Sequence, residues 1–146
     1  MSLRELYQEM IVDHGKSPRN FGKLSEATHL HAGHNPLCGD QLIIYLILQK
    51  GVIEEAQFEG TGCAISVASS SLMIEVIKGK TVEEVEELFK NFHGLVTDGK
   101  AKEDVLGKLV ALSGVAQFPI RVKCATLPWH TLKAALCCDQ NPVSTE

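Results

Sequence analysis

No stretch of this sequence stays apolar for longer than residues 42–48, far short of the ~20 residues a helix needs to cross a bilayer. A membrane-spanning role is therefore not expected. Positive charge is also scarce. Fourteen Lys and Arg stand against 18 Asp and Glu, a net charge of −4, whereas a dedicated nucleic-acid binder is usually basic. The first residues mix acids with apolar side chains and contain no h-region, so a secretory signal is not expected. There is no internal repeat, low-complexity tract or linker, and no cysteine pair has the C-x-x-C spacing of a zinc finger. A chain of 146 residues, 45% hydrophobic and 22% charged, is sized and composed for one globular domain, 1–146, around a single core. Its five cysteines are an odd number in a chain too large to need staples. That favours a reducing cytoplasm and free or metal-bound thiols over a disulfide framework.

The chemistry centres on Leu37-Cys38-Gly39-Asp40. In extended backbone, residues two apart share a face, so the Cys38 sulfur and an Asp40 oxygen can approach one point. Gly39 permits a tight bend between them. His34-Asn35-Pro36 before it reads as a turn, and 42–48 after it reads as a buried central strand. Two further cysteines have comparable settings. Cys63, in Gly60-Thr61-Gly62-Cys63, follows a strand-like run and precedes a helical one. Cys124, in Arg121-Val122-Lys123-Cys124, closes a short apolar stretch before another helix. Three thiols and a carboxylate at element boundaries form a candidate four-ligand metal set. Spacing alone leaves that set and ordinary small buried cysteines equally open. His29, His31 and His34 precede the motif and are read as solvated loop residues.

Periodicity and capping signals give the expected elements. Ser2-Leu3-Arg4-Glu5 is a capping-box pattern opening a helix over 3–14, with Gly15 as its terminator. Residues 16–23 form a loop, and irregular chain continues through His34. Strand 42–48 turns at Gln49-Lys50-Gly51 into a second strand, 52–59. There Val52, Ala56 and Phe58 share one side and Glu55, Gln57 and Glu59 the other, while Ile53 and Glu54 break the pattern. An isolated hairpin is marginal, so a third strand is expected, best placed at 29–31. A buried helix runs from just after Cys63 to Gly79. Its N-terminus favours a thiolate at Cys63. The serines at 69–71 are read as close packing, because the glycines and lysine of a P-loop are missing. Thr81-Val82-Glu83-Glu84 opens a helix to about Phe92 with a solvated acidic face. A loop over 94–101, a short helix over 104–112 and extended chain over 117–120 follow. A last helix begins near Cys124, with Pro128 in its first turn. Cys137 and Cys138 are incidental, and the tail from Asp139 is expected to fray.

Several of these residues together carry a resemblance. Cys38-Gly39-Asp40, then Gly62-Cys63 with Ala68-Ser69-Ser70-Ser71-Leu72 and Lys78-Gly79-Lys80, then a late cysteine before a helix, resemble the iron–sulfur cluster assembly scaffold family of IscU and the NifU N-terminal domain. The resemblance spans nearly the whole chain. The long Cys63–Cys124 separation and Arg121-Val122-Lys123-Cys124-Ala125-Thr126-Leu127 resemble the SufU branch. In IscU a histidine immediately precedes the third cysteine; here Lys123 stands there. Phe118-Pro119-Ile120-Arg121-Val122-Lys123 replaces the Leu-Pro-Pro-Val-Lys chaperone motif, so the resemblance does not extend to a dedicated chaperone.

The resemblance implies an α+β fold, SufE/NifU-like, with a small three-stranded antiparallel sheet packed against about five helices. It implies metal at Cys38, Asp40, Cys63 and Cys124, and a cysteine desulfurase (SufS-like) as partner, with downstream Fe–S assembly proteins after it. A three-thiolate, one-carboxylate set suits Zn²⁺. Its net charge of −2 can be partly offset by Arg121 and Lys123, and so electron-rich a site is a poor activator of water. The expected activity is therefore zinc-dependent acceptance of persulfide sulfur through Cys38. That makes the protein a sulfurtransferase-like partner of the desulfurase rather than a stand-alone enzyme. The alternative is a scaffold on which a transient Fe–S cluster forms on the same ligands.

Overall fold

The computed structural model describes residues 2–36, 38–98, 101, 103–137 and 143–144. The elements in chain order are α1 (Leu3–Lys16), β1 (His29–Asn35), β2 (Asp40–Gln49), β3 (Val52–Thr61), α2 (Ala64–Ile77), α3 (Val82–Thr97), α4 (Glu103–Leu106), a 3₁₀ stretch (Gly107–Gln117), α5 (Pro119–Leu136) and β4 (Val143–Ser144). The expected α+β architecture is borne out. β1, β2 and β3 form an antiparallel sheet with β2 central, and the two residues of β4 add a parallel edge beside β1. Chain expected to fray beyond Asp139 thus includes two residues that pair with Gly33 and His34.

The hairpin follows from its turn. Lys50 and Gly51 both take positive φ, 53° and 76°, as a two-residue turn matching strand twist requires. Register then slips: Ile47 faces Glu55 but Leu48 faces Ile53. Glu54 is the extra residue of a β-bulge, and this explains the broken alternation. Ile53, not Val52, shares the inward face with Ala56 and Phe58, all three buried. Opposite them Leu42, Ile44 and Leu46 point the same way. Each large side chain buried there contributes roughly 1.5–3 kcal/mol.

The helices α2 and α5 cover this face, and α1, α3 and the 3₁₀ stretch pack upon them. α2 is buried nearly all round, so it has no polar stripe. Its serines are satisfied: Ser70 Oγ donates to Ser66 O at 2.9 Å and Ser69 Oγ to Ala125 O at 2.6 Å. Their small size lets neighbouring helices come close, as expected. The reciprocal capping box of Thr81 and Glu84 is present. Ser2 Oγ accepts from the Glu5 N–H at 3.2 Å.

Several boundaries differ from the expectations, each for a tertiary reason. Gly15 lies inside α1 rather than ending it. A Cβ there would stand 3.2 Å from the Ala64 Cβ, so glycine serves the approach of α1 to the start of α2. α3 continues through Gly94 to Thr97, burying Leu95 and Val96. The chain after α4 stays helical to Gln117 as a 3₁₀ stretch burying Leu109, Val110, Ala111, Leu112 and Val115. β1 reaches Asn35, because it pairs with β2 along its whole length. α5 starts at Pro119, which occupies its first turn. Only Phe118 is extended, so Cys124 lies within the helix rather than before it. Pro128 consequently sits in the helix interior. There a proline removes one backbone hydrogen bond and strains the next. The Ser69 hydroxyl donates to Ala125 O, the carbonyl three residues before Pro128, where the ladder is weakened.

His14 illustrates how α1 is tied down. It is buried at 3% exposure, with Nδ1 2.7 Å from Ser71 Oγ. The Arg19 N–H donates to the same oxygen at 2.8 Å, leaving the hydroxyl proton to point at an unprotonated Nδ1. Burial, then the charge of Arg19, holds the imidazole below its ordinary value of 6.5. Burial and His93 do the same to His130. An unfolded chain binds those protons more readily, so stability should be level above 6.5 and fall as the pH drops below it. Chemical denaturation across that range, on the wild type and a His14→Gln/His130→Gln variant, checks this. The decline should be shallower in the variant.

Candidate metal centre

The first two ligand candidates come from the end of the β1–β2 hairpin. Asn35 and Asp40 face each other as its last pair, and the Cys38 N–H donates to Asn35 O at 3.3 Å. Cys38 and Gly39 lie in a turn with Gly39 at φ +70°. The expected extended alternation is therefore corrected: a left-handed glycine turn brings Cys38 over Asp40. Asp40 is fully buried. Its Oδ1 accepts from the Cys63 N–H at 2.8 Å, and its Oδ2 lies 4.0 Å from Cys63 Sγ. Cys63 is the N-cap residue of α2 but makes no cap with its own side chain. The carboxylate of another element instead takes up the Cys63 N–H, one of the free donors at the helix terminus. Gly62 makes room for it, since a Cβ at this position would collide with Asp40 Oδ1.

Cys124, in the second turn of α5, completes the group from below. Its sulfur is 3.1 Å from Cys38 Sγ, 3.7 Å from Ile120 O and 3.8 Å from Asn35 Nδ2. Donor atoms of Cys38, Asp40 and Cys124 all lie within 4.8 Å of one another, a span that metal bonds of about 2.0–2.3 Å can bridge with small adjustments. Cys63 stands beside this trio through Asp40. The four expected residues are thus brought together, three as a close set and Cys63 at its edge.

Burial pushes the Cys124 thiol well above its ordinary range, with Cys38 the next cause. A buried thiolate here needs nearby positive charge. Arg121 supplies some. Its guanidinium is held above its ordinary value chiefly by attraction to Cys63, then by a hydrogen bond to Cys124. Three residues along a helix share a face, and Arg121 and Cys124 are so spaced. Lys123, two positions from Arg121, is turned about 200° around the helix from it and is half-buried. A cleft of about 560 Å³ opens over Cys38 and Cys63 and is rimmed by Phe118, Ile120 and Arg121. Phe118 and Ile120 are 58% and 61% exposed.

The histidines stand apart from this group. His31 is buried in β1 with Nδ1 2.9 Å from Ala32 O, so it is not the solvated loop residue expected. It lies four strand residues from Asn35, roughly 13 Å away. Cys137 is exposed at the end of α5, and Cys138 lies outside the described residues.

The chain that brings these three thiols and a buried carboxylate together is similar to a known family over most of its own length. The NifU-like N terminal domain family matches residues 6–125. The chain belongs to that family. A Bacillus subtilis relative, the zinc-dependent sulfurtransferase SufU, is 42% identical over 134 residues, 90% of each chain. An iron–sulfur cluster assembly scaffold protein IscU of Thermotoga maritima is 40% identical over 136 residues, 93% of this chain and 96% of the relative. Among solved structures, a SUF-system scaffold protein from thermophilic Fervidobacterium islandicum aligns with a TM-score of 0.85 at 39% identity, over 92% of this chain and 99% of that one. The N-terminal NifU-like protein of Brucella abortus, at 21% identity and a TM-score of 0.83, shares the fold.

Two features of this NifU-like domain were hidden from sequence reasoning. Asn35 reads as part of an Asn-Pro turn, yet its side chain is buried against Cys124. Of the apolar rim, Phe118 is extended as expected, whereas Ile120 lies in the first turn of α5. Pro119 in the first turn of α5 is the sequence signal for that helix start.

The Gly62 contact gives a direct test. Gly62→Ala should force Asp40 off the α2 terminus and destabilise the fold by about 1–3 kcal/mol, with weaker metal uptake. Denaturant titration and metal analysis of the purified variant check it.

Proposed function

We propose that this chain is a zinc-binding sulfur acceptor of iron–sulfur cluster assembly, taking persulfide sulfur from a cysteine desulfurase through Cys38 and passing it to downstream assembly proteins in the cytoplasm. The observation that carries this is the convergence of Cys38, Asp40 and Cys124, with Cys63 adjacent, under a cleft that exposes Cys38. The name and 42% identity of the Bacillus subtilis relative support it. Cys38, Asp40, Cys63 and Cys124 are the residues that would hold zinc, and the soft, electron-rich donor set fits that ion. Zinc bound there would keep thiols deprotonated and shielded until a partner arrives.

The remaining chemistry belongs to the chain. Cys38 sits on a turn at the cleft mouth, within reach of a persulfide carried on a partner. Its thiolate attacks the outer sulfur; the new S–S bond forms on Cys38, and the donor's S–S bond breaks. The donor cysteine leaves as thiolate, so no external oxidant or reductant is needed. Arg121 at the rim offsets negative charge on either side of the exchange. Phe118 and Ile120 offer apolar surface beside the reacting sulfur. Asp40 holds the Cys63 segment in place and contributes the one oxygen donor, the ligand that thiophilic metals bind least firmly.

A scaffold role has its own support, since the 40% identical Thermotoga maritima relative bears that name. Three thiolates can equally hold iron in a growing cluster.

The test combines metal analysis with sulfur mapping. Protein purified without tags or added metal should hold about one zinc per chain. Incubation with desulfurase and L-cysteine should place persulfide on Cys38 by mass spectrometry, and Cys38→Ser should abolish it. Cys137→Ser should change neither result. Persulfide on Cys63 or Cys124 with Cys38 unmodified would reject the assignment. Full-rate transfer after zinc removal would favour the scaffold reading.

Asp40 separates two roles. Asp40→Asn keeps an oxygen to accept the Cys63 N–H and should retain the fold. Asp40→Ala loses that bond and should cost about 1–3 kcal/mol. Both should lower sulfur turnover, which paired melting and turnover measurements will compare.

A further inference from the structure

Asn35 touches the candidate centre in three ways. Its backbone carbonyl accepts from the Cys38 N–H at 3.3 Å. It is the cross-strand partner of Asp40. Its side-chain Nδ2 donates to Cys124 Sγ at 3.8 Å. The residue is fully buried. On β1 it shares the inward face with His31 and Gly33, the face that packs against α5. A buried amide costs about 1–3 kcal/mol unless its hydrogen bonds are made. Asparagine is therefore an expensive choice for packing alone.

The Cys38 and Cys124 sulfurs are 3.1 Å apart but differently placed. Cys38 is half-buried and lines the cleft, whereas Cys124 is wholly buried and receives the amide. An N–H directed at a thiolate withdraws charge from the sulfur. That stabilises it as a metal ligand and weakens it as a nucleophile, as partners around a metal site generally tune their ligands. A thiolate only accepts, so the nitrogen end of the amide belongs toward the sulfur.

The geometry points to Asn35 as a positioning residue that keeps Cys124 as the retained ligand of the centre and leaves Cys38 as the sulfur free to exchange. This rests on the metal-binding reading above.

The test uses the full chain with cobalt(II) in place of zinc, comparing wild type with Asn35→Val and Asn35→Leu. Both remove the amide donor, one with a shorter side chain and one with a side chain of similar length. Both should move the thiolate-to-cobalt charge-transfer band to lower energy. Both should weaken zinc binding in chelator competition by roughly 10–100-fold. Melting of the metal-free proteins separates this from loss of fold. An unshifted band with unchanged zinc affinity in the folded variants would overturn the proposal. A measurement on the wild type needs no variant. Loaded with NMR-active cadmium, the protein should show coupling between the Asn35 side-chain amide protons and the metal across the hydrogen bond. Its absence would likewise overturn the proposal. Failure of wild type to bind metal would instead defeat the zinc reading itself.

Discussion

The hydrogen bond from the Cys63 N–H to Asp40 Oδ1 fastens the sheet to its central helix. On one side is the first residue of β2; on the other, the N-cap of the most deeply buried helix. A fully buried carboxylate is costly unless its oxygens are engaged. Here one oxygen is occupied by a backbone donor at the positive end of α2. The other remains turned toward the sulfurs. The same contact therefore serves the fold and leaves an open donor for the candidate centre.

Around this joint the sequence places small residues where elements must approach closely. Gly62 yields to Asp40, Gly15 yields to Ala64, and the serines of α2 yield to α1 and α5 while satisfying their own hydroxyls. The candidate ligands are held by rigid pieces, a hairpin end and the first turns of two helices. The rim above them is exposed and apolar. Rigid candidate ligands beneath an accessible apolar rim suit the sulfur transfer proposed above.

Much of this was legible from residue types. Helix α3 followed from its capping box, the hairpin from its turn and apolar run, and the four ligand candidates from thiols and a carboxylate at expected element boundaries. What escaped was decided by distant contacts. Glu54 breaks the strand pattern because of a bulge whose partner strand fixes it. Gly15 and Gly94 look like helix terminators but are carried through by packing. Pro128 looks like a first-turn residue and is interior, because α5 begins earlier at Pro119 and Ser69 supports the weakened carbonyl. Asn35 looks like turn chemistry, and only the docking of α5 shows what its amide meets. Local propensity speaks for the residue itself; these outcomes depended on a neighbour far away in sequence.

The candidate ligands come from three segments, and Cys38 and Cys124 are 86 residues apart in the chain. A ribosome delivers the hairpin and α2 well before α5. Until α5 has emerged and docked, Cys38, Asp40 and Cys63 form an incomplete set, with the place of the innermost sulfur open to water. Any ion held at that stage would be bound by fewer donors and lost more readily than after folding. Under the proposed zinc reading, the order of synthesis makes the full donor set a property of the finished fold alone.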